Sequence, residues 1–316
     1  MKQERITVIG GSGFLGRYIV ELLADQGAVV KVAVRDIEKA KFLKPLGQVG
    51  QVTPIPLNVC DETSLQKIAQ GTDKIIYLVG ILYEKRNQTF KKVHIDALEI
   101  LGELSRKEGV KRFSLVSALG ANVEAKSKYL SSKGEGELKL IQNYPEATIF
   151  KPSLLFGAED KFFNLFASLL RITPILPLYG GGRTLFQPVY VGDVARAVVN
   201  SIDEKSTYGN TYELGGPTIY TYAELMETIL HYTNRNRLLL PVPFKVGDFQ
   251  AALTELLPKP ILTKDQMISL RFNNVVHEDA LNIKNLGVEP TSLETILPTY
   301  IKRHRRGGRL GRSSEA

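Results

Sequence analysis

The chain has 316 residues, 43% of them hydrophobic, with one cysteine and four histidines. A chain this long buries roughly three-quarters of its unfolded surface, so its core needs no staple; Cys60 alone closes no internal disulfide, and four scattered histidines offer no metal-ligand cluster. No apolar run of about 18 residues occurs, which excludes a spanning helix; the first strand begins so close to Met1 that no signal or transit peptide is expected, and a reducing compartment follows.

The first 150 residues alternate apolar runs with amphipathic stretches. Strands are expected at Ile6–Gly10, Val29–Val34, Thr53–Leu57, Ile75–Val79, Phe113–Ser117 and Ala147–Phe150. These runs are rich in Val, Ile and Leu and scarcely alternate, as in parallel strands buried on both faces. Between the first two, Leu15, Tyr18, Ile19, Leu22 and Leu23 form one apolar stripe over a helix Leu15–Gln26. Repeated strand–helix units predict an α/β fold with a Rossmann-like, doubly wound parallel sheet. After Pro152 the pattern changes. Phe162–Ile172 reads as an apolar helix, Pro188–Asn200 as strand then helix, Tyr212–Gly215 as a strand and Tyr222–Tyr232 as a helix. Frequent prolines in the last third predict short helices joined by turns, a lid rather than more sheet. Phe244–Leu257, with the apolar Val246, Phe249, Leu253, Leu256 and Leu257, is a second amphipathic candidate for a surface helix, although these residues are expected to pack into that lid. A last helix is expected to open with a capping box of Thr291 and Glu294, to share a face of Leu293, Ile296, Leu297, Tyr300 and Ile301, and to be kinked or shortened by Pro298. The division expected is residues 1–157, with 186–216 returning, as a dinucleotide-binding domain; 158–185 and 217–305 as a smaller, mainly helical C-terminal lobe; and 306–316 as a disordered basic tail.

The formal net charge is +8. Lys302, Arg303, Arg305, Arg306, Arg309 and Arg312 crowd the last fifteen residues, opposed only by Glu315. This is a basic tail, not a basic domain, so no nucleic-acid partner is expected. Beside an apolar helix it suits an anionic membrane surface, at about 1 kcal/mol per basic residue.

Gly10, Gly13 and Gly16 stand in the pattern G-x-x-G-x-x-G between the first strand and its helix. The first permits a tight turn, the second lets backbone approach a pyrophosphate, and the third lets the helix pack closely, its N-terminal N–H groups meeting the phosphates. An NAD site needs a carboxylate at the end of the second strand to accept from the ribose 2′-OH. Here Arg35 stands in that place, and a guanidinium pairs instead with a 2′-phosphate, which points to NADP(H). Lys39 and Arg17 add charge. The competing reading leaves Arg35 in solvent and gives the ribose to Asp36.

GGSGFLG (10–16), the strand-end Arg35, LVSALGA (115–121), YLSSK (129–133), KPSLLFG (151–157) and PVYVGDVARAV (188–198) together resemble the extended and atypical short-chain dehydrogenase/reductase family over nearly the whole chain. The resemblance implies that Tyr129 and Lys133 are the family's catalytic pair. Residues i and i+4 share a helix face; the ammonium lowers the phenol pKa, and the tyrosine moves a proton at a carbonyl. A reading in which the pair only holds the nicotinamide ribose stands beside it. The family's Ser or Thr after the strand is missing: the pair reads Ser117-Ala118, so the triad is incomplete. The cofactor site implied comprises Gly10, Ser12, Gly13, Phe14, Leu15, Gly16, Arg35, Asn58, Val59, Val79, Gly80, Tyr129, Lys133, Lys151, Pro152 and Ser153, and no metal. Asn58 replaces the usual Asp of the adenine-contacting pair, and His94, where the family has Asn, reads as a core histidine.

SKYLSSKGEGE (127–137), YPEATIFKPSLLFGAEDKFFNLFASL (144–169), FQPVYVGDVARAVVN (186–200) and LGVEPTSLETILPTYIKRHRR (286–306) more closely resemble the branch containing the NADPH-binding accessory subunit of respiratory complex I and its alphaproteobacterial relatives. That likeness implies complex I peripheral-arm partners, a structural or assembly role with little turnover, and a peripheral place on the cytoplasmic side of a bacterial inner membrane, or the matrix side in a mitochondrion. Two alternatives stand: a free-standing NADPH-dependent reductase or epimerase/dehydratase using Tyr129 and Lys133, and a redox-sensing regulator.

Overall fold

A computed structural model describes residues 4–258, 260–305 and 307–308. In chain order the strands and helices are β1 (Arg5–Ile9), α1 (Phe14–Asp25), β2 (Val29–Val34), β3 (Val52–Pro56), α2 (Glu62–Ala69), β4 (Lys74–Tyr77), α3 (Ala97–Lys107), β5 (Arg112–Val116), α4 (Lys128–Asn143), β6 (Thr148–Pro152), β7 (Leu155–Phe156), α5 (Phe162–Leu169), β8 (Ile175–Tyr179), β9 (Leu185–Phe186), β10 (Val189–Tyr190), α6 (Val191–Ser201), β11 (Thr211–Leu214), β12 (Tyr220–Thr221), α7 (Tyr222–Thr233), β13 (Leu238–Val242), α8 (Phe244–Thr254), α9 (Lys264–Ser269) and α10 (Leu293–Ile301). They fall into two compact units.

The first unit takes the chain up to Pro152 together with Val191–Leu214 and His277–Glu289. Its seven-stranded sheet runs β11-β6-β5-β4-β1-β2-β3, every neighbouring pair parallel. Val8 faces Val32 on one side and Ile76 on the other, all fully buried. Such β-branched strands can lie only between helix layers. The strand order reverses between β4 and β1, so a crevice opens at their carboxyl ends, the usual ligand position in this architecture. Among the described residues no acidic group is in contact with the buried Arg112. Its guanidinium donates to Thr148 Oγ1 (2.6 Å), the carbonyl of Ser201 (3.2 Å) and Thr207 Oγ1, and lies 3.9 Å from the Tyr208 ring centroid. Residues 277–289, expected in the lobe, instead lie along β11: Glu213 N donates to Leu281 O, and the Glu213 carboxylate accepts from His277 N.

The second unit is Ser153–Tyr190, Gly215–Val276 and Pro290 onward. Its core joins Phe156, Phe163, Leu176, Tyr222, Met226, Met267, Leu297 and Ile301. It carries more sheet than its prolines suggest: β7 pairs with β10 and β8 with β13 in parallel, and β9 with β12 antiparallel. Pro241 is accommodated because a two-stranded ribbon leaves one edge of β13 without a partner needing its N–H. In α8 the buried residues are Gly247 and Ala251. A Cβ at Gly247 would lie 2.3 Å from Met267 Cε, so the helix packs through its small residues and turns its large ones outward. Val246, Phe249, Leu253, Leu256 and Leu257 are therefore exposed, contrary to the packing expected of them. The helix start expected at Thr291 falls one residue later. Ser292 is the N-cap, and the Glu294 carboxylate accepts from the Tyr220 hydroxyl (2.5 Å). α10 continues through Pro298 to Ile301 and then tightens to a 3-10 turn. Arg303 donates to Ala158 O and Asn164 Oδ1, and Arg305 to Tyr232 O, so two residues of the basic tail are tied to their own unit. Arg306, Arg309 and Arg312 lie outside the described residues, as does almost all of the expected disordered end. Among the described residues no helix is long and apolar enough to cross a membrane, and no cluster of His, Cys, Asp and Glu could hold a metal.

Candidate dinucleotide site

The glycine loop leaves β1 into the crevice. Gly10 has φ +86°, a left-handed conformation that penalises any Cβ, and its N–H donates to Ala33 O (2.9 Å) across to β2. Gly13 is exposed and is the N-cap of α1, with no side chain to satisfy the first N–H groups of the helix. That open, side-chain-free helix start fits a pyrophosphate. Gly16 packs against the loop itself: a Cβ there would lie 2.5 Å from Gly11 Cα and 2.7 Å from Gly10 O. Ser12 and Phe14 are half-buried beside the loop, whereas the Leu15 side chain is core, leaving its backbone to face a ligand.

At the end of β2 the two neighbouring candidates separate. Asp36 is held by Lys39, through the ammonium (2.9 Å) and the backbone N–H (3.2 Å), and these hydrogen bonds hold its carboxyl below the usual range. Arg35 is exposed and donates from Nη1 to Gln88 Oε1 (2.6 Å). The Arg17 guanidinium sits 5.0 Å from the Phe42 ring centroid. Asn58 is exposed and closes its own turn by accepting from Cys60 N (3.1 Å), while the Val59 side chain is buried in the core.

The other end is built on α4, capped by Ser127 accepting from Leu130 N. Tyr129 is half-buried, its ring edge-on to His94 (5.6 Å between centroids) and to Phe90 (6.3 Å). One turn on, Lys133 is buried and donates to Val116 O (3.3 Å) at the end of β5; burial lowers its pKa to about 8. Gly80 makes room for it, since a Cβ there would stand 3.3 Å from Lys133 Nζ. Val79, just before, is half-buried against Gly10. His94 is neutral and fully engaged. Ile81 N donates to Nε2 (3.1 Å), which leaves Nδ1–H to donate to Ser132 Oγ (2.8 Å); burial, aided by the Lys133 charge, pushes its pKa down to about 3. Ala118 presents no hydroxyl. Ser117 is buried, and among the described residues its hydroxyl has no hydrogen-bond partner. Lys151 bridges Glu137 (2.8 Å) and Ala121 O (3.0 Å). Pro152 ends β6, its carbonyl accepting from Leu119 N. Ser153 belongs to the second unit, where its hydroxyl donates to Asn274 Oδ1 (2.7 Å) or O (3.0 Å).

Three participants escaped the sequence pattern. Glu137 is buried, its pKa raised by desolvation against the pull of Lys151; its signal was the i+4 spacing from Lys133. Phe90 holds the Tyr129 ring, and Gln88 meets Arg35 across 53 residues, a contact with no local signature.

Residues 10–148 match the family model described as NAD(P)H-binding. The chain is 35% identical over 96% of its length to the mitochondrial NADH dehydrogenase (ubiquinone) 1 alpha subcomplex subunit 9 of Arabidopsis thaliana, spanning 78% of that protein. To the protein of the same name from Mus musculus it is 35% identical over 95%, spanning 80%. Among solved structures, the dTDP-glucose 4,6-dehydratase DesIV from Streptomyces venezuelae, with NAD and TYD bound, superposes with a TM-score of 0.72 at 19% identity, over 96% of this chain and 98% of that one, a likeness of fold. With a parallel sheet of this order, a glycine loop at its switch point and identity running the length of both units, the chain belongs to the family of the NADH dehydrogenase (ubiquinone) 1 alpha subcomplex subunit 9.

Proposed function

We propose that this protein is an accessory subunit of respiratory complex I that holds NADP(H) mainly as a structural cofactor, with little or no turnover. The observation that carries the reading is the identity to the subunit 9 proteins, which extends through the second unit, far beyond the glycine loop. The 2′-phosphate form is supported by Arg35 at the strand end and by Asp36 being held by Lys39. When bound, the cofactor supplies a hydride. Gly10–Gly16 seat its pyrophosphate, and Tyr129 and Lys133 face its nicotinamide ribose. The chain's own residues fall short of the family's proton chemistry, because Ala118 has no hydroxyl to polarise a carbonyl and Ser117 stands one residue early and is buried.

Peripheral attachment to an anionic membrane surface belongs to the same reading. The second unit turns Phe249, Leu253, Leu256 and Leu257 to solvent, with the exposed Lys245 on the same helix, a pairing of apolar and basic groups that suits an interfacial helix. On this reading the subunit sits on the cytoplasmic side of a bacterial inner membrane, or on the matrix side in a mitochondrion.

A second reading, a free-standing reductase or epimerase/dehydratase, is favoured by one feature: Lys133, buried with its pKa near 8, is poised as in an enzyme. Cofactor exchange separates the two. Protein loaded with NADPH and diluted into excess labelled NADP⁺ should exchange over hours. Exchange within seconds, with carbonyl reduction abolished by Tyr129→Phe, would install the enzyme reading instead.

A further inference from the structure

β4 and β2 are not neighbours; β1 lies between them, and the glycine loop rises from its end. The segment Ile81–Phe90 starts just past β4, yet its Gln88 accepts a hydrogen bond from Arg35 at the end of β2. Two strand spacings, about 10 Å, separate those strands, so the Arg35–Gln88 side-chain pair bridges across the end of β1. The construction of the segment is definite. Lys85 and Gln88 exchange reciprocal backbone hydrogen bonds of 3.0 Å around a tight turn, with Arg86 at φ +51°. One foot is fixed where Ile81 N donates to His94 (3.1 Å), and within the segment Phe90 N donates to Glu84 Oε1 (2.7 Å). The Phe90 ring stacks on His94 (5.5 Å) and meets Tyr129 edge-on. A single segment thus joins the Tyr129 end of the crevice to the Arg35 end.

We propose that Ile81–Phe90 is a clasp over the bound dinucleotide, latched by Arg35 and Gln88, and that Gln88 sets how long NADPH stays bound. The inference rests on the NADP(H) reading above. The two ligands of Arg35 do not compete. A guanidinium has five N–H donors and Gln88 uses one, leaving the others for a 2′-phosphate; the Gln88 amide, accepting through its oxygen, keeps two N–H donors for the same phosphate. The phosphate therefore tightens the latch, and release requires the turn to lift.

The test uses the full chain. NADPH release is followed by fluorescence after chasing with excess NADP⁺. A hydrogen bond to a charged group is worth a factor of about 10 to 100 in rate when lost, so Gln88→Ala should release NADPH at least about tenfold faster than wild type. In parallel, trypsin acts on the wild-type protein, where Lys85 and Arg86 stand exposed at the tip; saturating NADPH should slow cleavage there. Wild type that binds no NADPH overturns the cofactor reading and the clasp with it. Wild type that binds NADPH, with release unchanged in Gln88→Ala or with cleavage at Lys85 and Arg86 indifferent to NADPH, overturns the clasp alone.

Discussion

Gly16→Ala separates the loop's structural need from its ligand-binding need. A Cβ at this position lands 2.5 Å from Gly11 Cα, 2.7 Å from Gly10 O and 2.7 Å from Gly11 C. All three are backbone atoms, and Gly10 is held by its bond to Ala33 O, so no side chain can swing aside. The loop must retreat by about 1 Å to restore van der Waals contact. Overpacking of this kind costs about 1–3 kcal/mol; exchanging glycine for alanine inside a helix returns up to about 1 kcal/mol. The net loss expected is about 1–2 kcal/mol. The loss of cofactor should be larger in proportion, because the same movement drags the N–H groups of the helix start off the pyrophosphate, and each charge-assisted bond carries about 1.5–3 kcal/mol. Gly13→Ala is the internal comparison: its Cβ meets only Gly10 O, at 3.1 Å, in an ordinary backbone conformation, so the cofactor-free protein should keep its stability. Urea unfolding without cofactor and NADPH titration give both numbers. Gly16→Ala that is as stable as wild type and binds NADPH as tightly would refute the argument.

Arg35→Asp should weaken NADPH binding far more than NADH binding; equal losses in paired titrations would remove Arg35 from the 2′-phosphate. His94 gives the protein an acid sensitivity. Its folded pKa near 3 lies below the ordinary 6.5, so the unfolded chain binds the extra proton between those values. Stability is full above about pH 6.5 and falls as the pH drops toward 3, with a slope approaching about 1.4 kcal/mol per unit. His94→Gln should flatten that slope, and an unchanged slope in urea melts would show that other groups set it. Arg112→Met should cost about 3–5 kcal/mol, since it strands the acceptors at Thr148, Ser201 and Thr207 in the core; a variant within 1 kcal/mol of wild type by the same melts would contradict that. Phe249→Asp with Leu253→Asp should leave the melting temperature within about 2 °C of wild type yet abolish flotation with anionic vesicles. Undiminished flotation would dismiss α8 as a membrane contact.

The Rossmann-like half was legible because strands buried on both faces are dominated by Val, Ile and Leu, with only scattered polar residues such as Thr7 and Lys31, and because a glycine loop needs glycine for reasons visible residue by residue. The second unit was harder to read. Periodicity finds a helix at Phe244–Thr254 but cannot say which side faces inward; Gly247 and Ala251 decide it by letting Met267 and Tyr179 approach. Leu238–Val242 hid as a strand because its partner, Ile175–Tyr179, lies over 60 residues earlier and both contain proline. Thr291 and Glu294 matched a capping box by spacing, yet Ser292 is the N-cap and the carboxylate accepts from Tyr220. In the site, Arg35 stood out through its residue type at the strand end, and Tyr129 and Lys133 through the family resemblance. Gln88, Phe90 and Glu137 did not, since their roles arise from contacts that only folding creates.

The most direct test of the account is to solubilise the host's membranes gently, resolve the complexes on a native gel, and quantify this chain and its nucleotide in the same band, extracting the oxidised form in acid and the reduced form in base. The account predicts that the chain migrates with complex I and carries about one NADP(H) per copy. Recovery of the chain alone in the soluble fraction, or a complex I band that contains it but carries NAD(H), would contradict it.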